Sequence, residues 1–227
     1  MTAPLHPPKS GDALLAGGSG LIGREIARQW SGPGTLHLLL RRPRAQAAPR
    51  GQRDHLVDFA ALPALPHATQ AFCCLGTTIK VAGSQTAFRA VDLHAVLAFA
   101  QAARQAGATR LAVVSALGAS PKSSSFYNRV KGEMEAAVAT LGFECLVIAR
   151  PSLLAGDRHT LGQAARPAEQ LALALTRPLR GLIPAAWRPI EAATVARALR
   201  RALDTGAPGV QVLESAALQT LGQAAAG

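Results

Sequence analysis

The sequence predicts an α/β fold, a Rossmann-like doubly wound parallel sheet with a small C-terminal lobe. Two observations support this prediction. Short apolar runs alternate with helix-like patterns along most of the chain. A glycine-rich turn joins the first apolar run to the first helical pattern. Because 227 residues with 49% hydrophobic content suffice for one well-packed core, we expect a single domain over residues 1–227.

The elements follow one another in the order that this fold requires. The segment "DALLAGGSGLIGREIARQW" predicts a strand, a glycine turn and a helix. Short apolar strands suit a parallel sheet covered on both faces, and right-handed crossovers are expected between them. The later elements are strands in "TLHLLL", "HLVDF" and "QAFCCLG", a helix over 86–105 ending before Gly107, a strand in "RLAVVSA", a helix over 126–141, a strand in "FECLVIARP", a helix over 191–203, a possible strand in "VQVL" and a closing helix.

The net charge of +11 raises the question of a nucleic-acid partner, since basic side chains neutralise phosphates. Twenty of the 24 basic residues are arginines spread over most of the chain, with few aromatic residues to stack on bases. We therefore expect no nucleic-acid binding and interpret the charge as a compositional bias with solvated faces. One local cluster, "RRPRAQAAPRGQR" over residues 41–53, stands apart.

Signal-peptide and membrane-helix patterns, cysteines and histidines bear on the cellular compartment and on metal binding. No signal-peptide pattern opens the chain, and no apolar run approaches the roughly 20 residues of a membrane helix. Three cysteines, two of them adjacent, form neither a disulfide framework nor a CxxC pair, and the six histidines lack metal-site spacing. We therefore expect a cytoplasmic protein with no membrane partner and no metal.

The turn "AGGSGLIG" has the composition of a dinucleotide-binding turn. Gly17 would allow the tight turn, Gly20 the approach of a pyrophosphate, and Gly23 close packing of helix on strand. The following helix N-terminus would supply amide donors to phosphates. A turn that serves packing alone is the alternative. The expected cofactor contacts here are Gly17, Gly18, Ser19, Gly20, Leu21, Ile22 and Gly23.

The end of the second strand indicates which dinucleotide is bound. NAD-selective proteins with this fold carry an acidic residue there, whereas this chain has Arg41 and Arg42. Guanidinium groups suit a 2′-phosphate, so NADP(H) is expected and NAD(H) is less favoured. A solvated basic turn is the alternative. Asp58, at the end of the third strand, is either an adenine contact or a loop-capping aspartate.

The stretch "SSSFYNRVKGEME" holds Tyr127, the only tyrosine, four residues before Lys131. On the helix predicted over 126–141, the two side chains lie one turn apart on one face. An ammonium that close favours the phenolate, and such a phenol can exchange a proton with an alcohol or carbonyl oxygen. A surface aromatic residue beside a solvated lysine is the alternative.

These motifs together resemble the short-chain dehydrogenase/reductase superfamily, whose members pair a GxxGxxG turn with a Tyr-x-x-x-Lys helix and an upstream serine. Ser115 lies twelve residues before Tyr127, near the usual spacing. Within the superfamily, "FCCLGTTIKVAG", "VSALGA", "SSSFYNRVKGEME" and "ARPSLLAGDR" are most similar to the atypical, Tat-interacting-protein-like oxidoreductases. The C-terminal "PLRGLIPAAWRPIEAATVARAL" and "VLESAALQTLG" are similar to that group as well.

The resemblance implies roles for individual residues. Tyr127 would exchange the proton, Ser115 would polarise the substrate oxygen, and Lys131 would hold the nicotinamide ribose. Classical members carry an asparagine on the helix after strand four, where this chain offers Asp92. Leu75, Gly76 and Thr77 would line the cofactor, and Pro151 would lie beside the nicotinamide.

The resemblance implies an NADPH-dependent oxidoreductase that reduces a small carbonyl compound, with that carbonyl or the matching alcohol as its partner. Residues 153–190 form a short substrate lobe, which predicts a small or open pocket with Arg158, Arg166 and Trp187 as candidate wall residues. The alternative is a non-catalytic NADPH-binding regulator with a protein partner, because fold and cofactor site do not establish catalysis.

Overall fold

The computed structural model describes residues 11–31, 34–155 and 187–223. Seven strands form one sheet in the order β3-β2-β1-β4-β5-β6-β9, and every neighbouring pair is parallel. This confirms the predicted Rossmann-like sheet. The strands are β1 (Ala13–Ala16), β2 (Leu36–Leu40), β3 (Gln52–Leu56), β4 (Gln70–Cys73), β5 (Arg110–Val114), β6 (Cys145–Arg150), β7 (Leu154–Ala155), β8 (Ile190–Glu191) and β9 (Gly209–Glu214), of which β7 and β8 pair separately.

Helices connect these strands on both faces of the sheet. Side chains alternate along each strand. Leu15 therefore packs with Ile26 and Val195 in one buried cluster, whereas Leu14 packs with Phe99 and Met134 in a second cluster on the other face. Two separate apolar cores, one on each face, follow from the nearly continuous apolar sequence of the central strands. The helices are α1 (Leu21–Gln29), α2 (Ile79–Ala82), α3 (Gln85–Arg89), a π-helical turn (Ala90–Ala95), α4 (Val96–Gln105), α5 (Phe126–Ala139), α6 (Ala192–Thr205) and α7 (Ser215–Gly222).

Three elements differ from the sequence-based expectation. The third strand covers Gln52–Leu56 rather than "HLVDF", because its register with β2 starts at Gln52 opposite Leu36. Asp58 therefore lies beyond the strand. The helix expected over 86–105 is divided into α3, the π-helical turn and α4, and the short helix α2 precedes it.

Most of the expected lobe, residues 156–186, lies outside the described residues, and so do Arg158 and Arg166. Its two ends come together, because Leu154 of β7 pairs with Ile190 of β8. Trp187 at the second end is 67% exposed. The division of the chain into one domain with this lobe stays a prediction.

The topology brings several loops to one edge of the sheet. β1 lies between β2 and β4. The chain adds β2 and β3 on one side of β1 and then crosses over to add β4 and the later strands on the other side. In open parallel sheets, ligands bind at such a switch point, outside the carboxyl ends of the strands. The last residues of β1 and β4, Ala16 and Cys73, are register partners, and Val113 of β5 pairs with Cys73. The loops that follow these strands therefore meet at the same edge.

Candidate active site

The glycine turn follows β1 and packs tightly against its surroundings. Gly17 has a φ of 81°, and a Cβ placed on it would lie 2.4 Å from the carbonyl carbon of Cys74. A Cβ on Gly23 would lie 2.2 Å from the carbonyl oxygen of Gly17. These positions require glycine because a larger residue would collide with backbone. The Gly20 amide donates to the Gly17 carbonyl at 3.0 Å, which closes the turn.

The N-terminus of α1 is open toward this turn. Gly20 is the N-cap and has no side chain to accept from the first amides, and the first helical turn contains no acidic residue. The amides of Leu21, Ile22 and Gly23 precede the first helical hydrogen bond, which Arg24 donates to Gly20 at 2.9 Å. Such unsatisfied donors and the helix dipole favour an anion. Gly18 and the exposed Ser19 belong to the same turn.

The loop after β4 connects the glycine turn to α5. A Cβ on Gly76 would lie 3.4 Å from Asp92 Oδ1 and 3.7 Å from Lys131 Nζ. The Thr77 amide donates to Asp92 Oδ2 at 2.9 Å. Leu75 packs on the cluster beneath α4 and α5. Gly76 itself is exposed, so this loop offers backbone to the space at the edge of the sheet.

Lys131 and Asp92 form a buried ion pair. Lys131 Nζ lies 2.8 Å from Asp92 Oδ1, and the two side chains are 4% and 0% exposed. Burial is the largest influence and lowers the pKa of Lys131, but the attraction of Asp92, Tyr127 and Cys73 outweighs it and raises that pKa above its ordinary 10.5. Lys131 is therefore charged at neutral pH.

The π-helical turn carries Asp92 and buries it completely. π-helical turns are rare and occur often at functional sites. The resemblance indicates Asp92 as the residue at the position where classical members of the superfamily carry asparagine. The turn itself gave no sequence signal, because nothing in "AVDLHA" distinguishes it from α-helix.

Tyr127 and Ser115 lie at the same edge of the sheet. Tyr127 is in the first turn of α5, half-buried, and its ring packs on Phe88 with centroids 5.4 Å apart. Ser115 follows β5 directly and donates its amide to Ala149 at 2.7 Å. Its hydroxyl is buried and has no hydrogen-bond partner among the described residues. Most buried polar groups have a hydrogen-bond partner, so this hydroxyl is a candidate for contact with a ligand.

The loop between Ser115 and Tyr127 is held against α5. The Ser120 amide donates to the Asn128 carbonyl at 3.0 Å, and the Leu117 amide donates to the carbonyl of Pro151 at 3.2 Å. A Cβ on Gly132 would lie 2.1 Å from the carbonyl carbon of Ser120, so this loop and α5 touch through backbone. Pro151, expected beside the nicotinamide, is buried at the end of β6.

The arginine cluster divides into two groups. Arg41 and Arg42 follow β2 directly, and both are exposed. Within the described residues neither forms an ion pair. Arg44 instead binds both carboxylate oxygens of Asp54 and donates to Gln52 at 3.1 Å, so it fastens β3 to the preceding loop.

Asp58 accepts a hydrogen bond from the Ala60 amide at 2.9 Å. The structure therefore shows the loop-capping alternative for Asp58, which is exposed and two residues past β3. Its role as an adenine contact stays a prediction, with one carboxylate oxygen already engaged by the loop.

Sequence reasoning missed an ion-pair network behind the site. Arg150, the last residue of β6, binds both carboxylate oxygens of Glu135 at 3.0 and 2.6 Å and Glu214 at 3.0 Å. It ties α5 to β6 and β9 and so fixes the helix that carries Tyr127 and Lys131. The hydrogen bonding of the Arg150 guanidinium to the Glu135 carboxylate, which accepts, is the main cause that raises the pKa of Arg150. The three residues are far apart in sequence, so no local pattern reveals them.

Comparison with known proteins identifies the family. No family model matches the chain. Protein HTATIP2 of Rattus norvegicus is 36% identical over 178 residues, which cover 75% of this chain and 70% of that protein. The chain belongs to the HTATIP2-like group of atypical short-chain dehydrogenases/reductases. This confirms the resemblance that its motifs indicated.

Other relatives of this atypical short-chain dehydrogenase/reductase are fungal. The protein fmp52 of Emericella nidulans is 45% identical over 98 residues, which cover 43% of this chain and 40% of that protein. FMP52 of Coccidioides immitis is 33% identical over 163 residues, which cover 64% of this chain and 66% of that protein. Both are mitochondrial proteins by name. They contradict the expected cytoplasmic location, which is therefore wrong.

Solved structures of low identity share the fold of this short-chain dehydrogenase/reductase. MoeE5 in complex with UDP-glucose and NAD has a TM-score of 0.67 at 19% identity, covering 89% of this chain and 75% of that one. The ADP-L-glycero-D-manno-heptose-6-epimerase of Helicobacter pylori has a TM-score of 0.64 at 16% identity. The match covers 94% of this chain and 79% of that one. These likenesses support the Rossmann-like fold.

Two further observations concern possible partners. No helix in the described part of the chain is long and apolar enough to cross a membrane. Among residues 11–31, 34–155 and 187–223, no group of three histidine, cysteine or carboxylate side chains is placed to hold a metal ion.

Proposed function

We propose that this protein is an NADPH-dependent reductase of a small carbonyl compound. The observation that carries the proposal is the position of Lys131, which is one helical turn from Tyr127, paired with Asp92, and within reach of the Gly76 backbone beside the glycine turn. A charged lysine is thereby held between the expected proton donor and the expected cofactor site. A packing role alone does not require a lysine there, since burying its ammonium is costly.

The cofactor would be held by the glycine turn and the N-terminus of α1 at its phosphates and by Lys131 at its nicotinamide ribose. When bound, NADPH supplies the hydride that reduces the carbonyl carbon. The Tyr127 hydroxyl gives its proton to the carbonyl oxygen, so that the O–H bond breaks as the alcohol forms. The Ser115 hydroxyl, buried and without a hydrogen-bond partner among the described residues, donates to the same oxygen. The Tyr127 phenolate then takes a proton from water, and Lys131 stabilises the phenolate until it does.

NADPH is preferred over NADH in this proposal because Arg41 and Arg42 are exposed and without ion pairs among the described residues at the carboxyl end of β2. A 2′-phosphate carries the charge and the acceptor oxygens that two guanidinium groups match. Two proteins of similar fold, MoeE5 and the Bordetella bronchiseptica enzyme WbmG, were solved in complex with NAD. The arginines are thus the feature that sets this chain's cofactor choice.

The substrate is small in this proposal. MoeE5 was solved with UDP-glucose and UDP-glucuronic acid, and this chain covers 75% and 76% of those chains. The segment available for a substrate lobe, residues 153–190, is short. A short lobe encloses less ligand surface, which favours a small aldehyde or ketone over a nucleotide sugar.

The test is consumption of NADPH in the presence of a panel of aldehydes and ketones. The proposal expects at least one carbonyl to be reduced by the unaltered protein and not by Tyr127→Phe. A non-catalytic NADPH-binding regulator would bind the cofactor and show no oxidation that depends on Tyr127. That result would replace the proposed activity with the regulatory one.

A further inference from the structure

Exposed apolar side chains gather on both sides of the candidate active site. In the described part of the chain, seven large apolar side chains are exposed to solvent. Four of them lie in the segments that follow β4 and β6 and that precede β8. These four are Ile79, Val81, Leu153 and Trp187, which are 36%, 69%, 38% and 67% exposed. Single apolar side chains on a surface are normal, whereas a concentration of them beside a site indicates contact with a ligand.

The first two lie on α2, next to the loop that approaches Lys131. The Thr77 amide binds Asp92, and α2 begins at Ile79, two residues later. Because consecutive Cα atoms are about 3.8 Å apart, the Cα of Ile79 lies within about 8 Å of the Cα of Thr77. None of the four α2 residues is buried. The helix therefore leaves two β-branched apolar side chains uncovered at the carboxyl edge of the sheet.

Leu153 lies on the opposite side of the site, after β6. The Leu117 amide, two residues beyond Ser115, donates to the carbonyl of Pro151 at 3.2 Å. Leu153 follows Pro151 by two residues. The exposed Leu153 side chain thus belongs to a segment that is hydrogen-bonded to the loop beginning at Ser115.

Trp187 is held to the same segment by two hydrogen bonds. The Ser152 hydroxyl donates to the carbonyl of Arg188, the residue that follows Trp187. The Ile190 amide donates to the carbonyl of Leu153 at 3.0 Å. The indole of Trp187 is therefore anchored beside Leu153 at the carboxyl edge of β6.

The charges of these segments indicate what kind of ligand they accept. Residues 75–82, 115–127, 151–154 and 187–190 contain no aspartate or glutamate, so a cationic substrate would find no counterion in them. The hydroxyls of Ser115 and Tyr127 suffice for one carbonyl oxygen. Sites for small molecules are lined mostly by apolar side chains, with a few polar groups that fix the orientation of the ligand.

We propose that the site takes an aldehyde or ketone with an alkyl chain, which α2 covers on one side and Leu153 and Trp187 cover on the other. The inference rests on the proposed function, because the carbonyl end lies at Ser115 and Tyr127. The carbonyl carbon receives the hydride of NADPH and the carbonyl oxygen receives the Tyr127 proton, while the alkyl chain is unchanged. Removal of the alkyl chain from water is the driving force for its binding.

The test compares two aldehydes of different length. The measured quantity is kcat/KM for octanal divided by kcat/KM for propanal, followed as Tyr127-dependent oxidation of NADPH by the full chain. Complete burial of one methylene group is worth about fourfold in kcat/KM, and half-burial about twofold. Octanal has five more methylene groups than propanal, so the ratio should be about thirtyfold or more. Both substrates are measured on one preparation, so the ratio does not depend on the fraction of protein that is folded.

Two double variants assign the preference to these side chains. Val81→Ser with Trp187→Ser removes one exposed apolar side chain from each side of the site, and the ratio should fall about fivefold or more. The matched control is Val210→Ser with Val212→Ser. These two valines are 53% and 44% exposed on β9, the strand at the far edge of the sheet, so the control should keep the ratio of the unaltered protein.

A ratio near one in the unaltered protein, with both aldehydes reduced in a Tyr127-dependent way, overturns the inference and leaves the proposed function standing. A ratio that Val81→Ser with Trp187→Ser does not change, or that the control lowers equally, overturns it as well. Absence of any aldehyde reduction removes the proposed function, and calorimetric binding of 1-octanol to the full chain with NADP⁺ then decides the inference. Binding that the site variant weakens and the control retains supports it, whereas no binding, or equal binding by both variants, overturns it.

Discussion

Gly17 touches the backbone of Cys74 so closely that a Cβ on Gly17 would lie 2.4 Å from the carbonyl carbon of Cys74. This contact joins the turn after β1 to the loop after β4. Three residues further along that loop, the Thr77 amide binds Asp92, which pairs with Lys131. The expected phosphate site and the expected proton-transfer site are thus connected through one loop.

Two glycines of the turn should respond differently to alanine. Gly17→Ala combines a positive φ with a backbone collision, so we expect a loss of about 2 kcal/mol or more in the free energy of unfolding. Gly20 has a φ of −80°, and within the part of the chain that the structure describes, a Cβ there meets only the Gly17 carbonyl oxygen, at 3.4 Å. Gly20→Ala should therefore change that free energy by less than about 1 kcal/mol.

Cofactor affinity separates the two variants further. A methyl group on Gly20 would occupy the approach to the pyrophosphate, so Gly20→Ala should weaken NADPH binding about tenfold or more while folding normally. Urea unfolding and calorimetric binding measure the two quantities. Unaltered NADPH affinity in Gly20→Ala would mean that the turn serves packing alone.

The arginines after β2 should determine cofactor choice. Replacing Arg41 and Arg42 with alanine removes charge-assisted hydrogen bonds to a 2′-phosphate worth about 1.5–3 kcal/mol, so the preference for NADPH over NADH should mostly disappear. Calorimetric titration with both cofactors measures this. The matched control replaces Arg50 and Arg53, exposed residues of the same cluster near the amino end of β3. Equal affinities of the unaltered protein for both cofactors would refute the assignment.

The effect of the Lys131–Asp92 pair on stability should depend on whether one of its charges or both are removed. Lys131→Met leaves a buried carboxylate without its counterion and should lower the free energy of unfolding by about 3–5 kcal/mol. Removing both charges, with Asp92→Asn and Lys131→Met together, should cost clearly less. Urea unfolding of the three proteins gives the comparison, and equal losses in the single and double variants would contradict it.

The same pair gives a dependence of stability on pH. The pKa of Lys131 is raised in the folded protein above its ordinary 10.5. The stability that this shift contributes is complete below about pH 10.5 and declines as the pH rises through the higher folded value. The difference in unfolding free energy between the unaltered protein and the double variant should thus be constant up to about pH 10 and shrink as the pH rises above about 10.5. A difference that grows over this range would contradict the assignment.

Local patterns in the sequence predicted the sheet, the glycine turn and the helix that carries Tyr127 and Lys131. Each depends on neighbouring residues: apolar runs for the strands, glycines for the turn, and spacing of four for the pair on one helix face. The apolar residues of "HLVDF" predict Asp58 at the end of a strand, whereas the register with β2 places the strand earlier.

Contacts between distant residues could not be predicted in this way. Arg150 meets Glu135 and Glu214 only because β6 lies between β5 and β9 with α5 beside it. Asp92 contacts Lys131 from a π-helical turn, and the sequence "AVDLHA" of that turn does not predict this conformation. Such pairs are products of the tertiary structure, and their consequences for charge and proton transfer become visible only with it.

The most direct measurement of the proposed activity compares the unaltered protein with Tyr127→Phe. The substitution removes the proton and little volume, so NADPH affinity should change little, while turnover of a carbonyl found by screening should fall by about 10²–10⁴-fold. Lys131→Ala is the companion variant and should weaken binding and turnover together. Turnover that survives Tyr127→Phe at the unaltered rate would contradict the catalytic account and leave only a cofactor-binding protein.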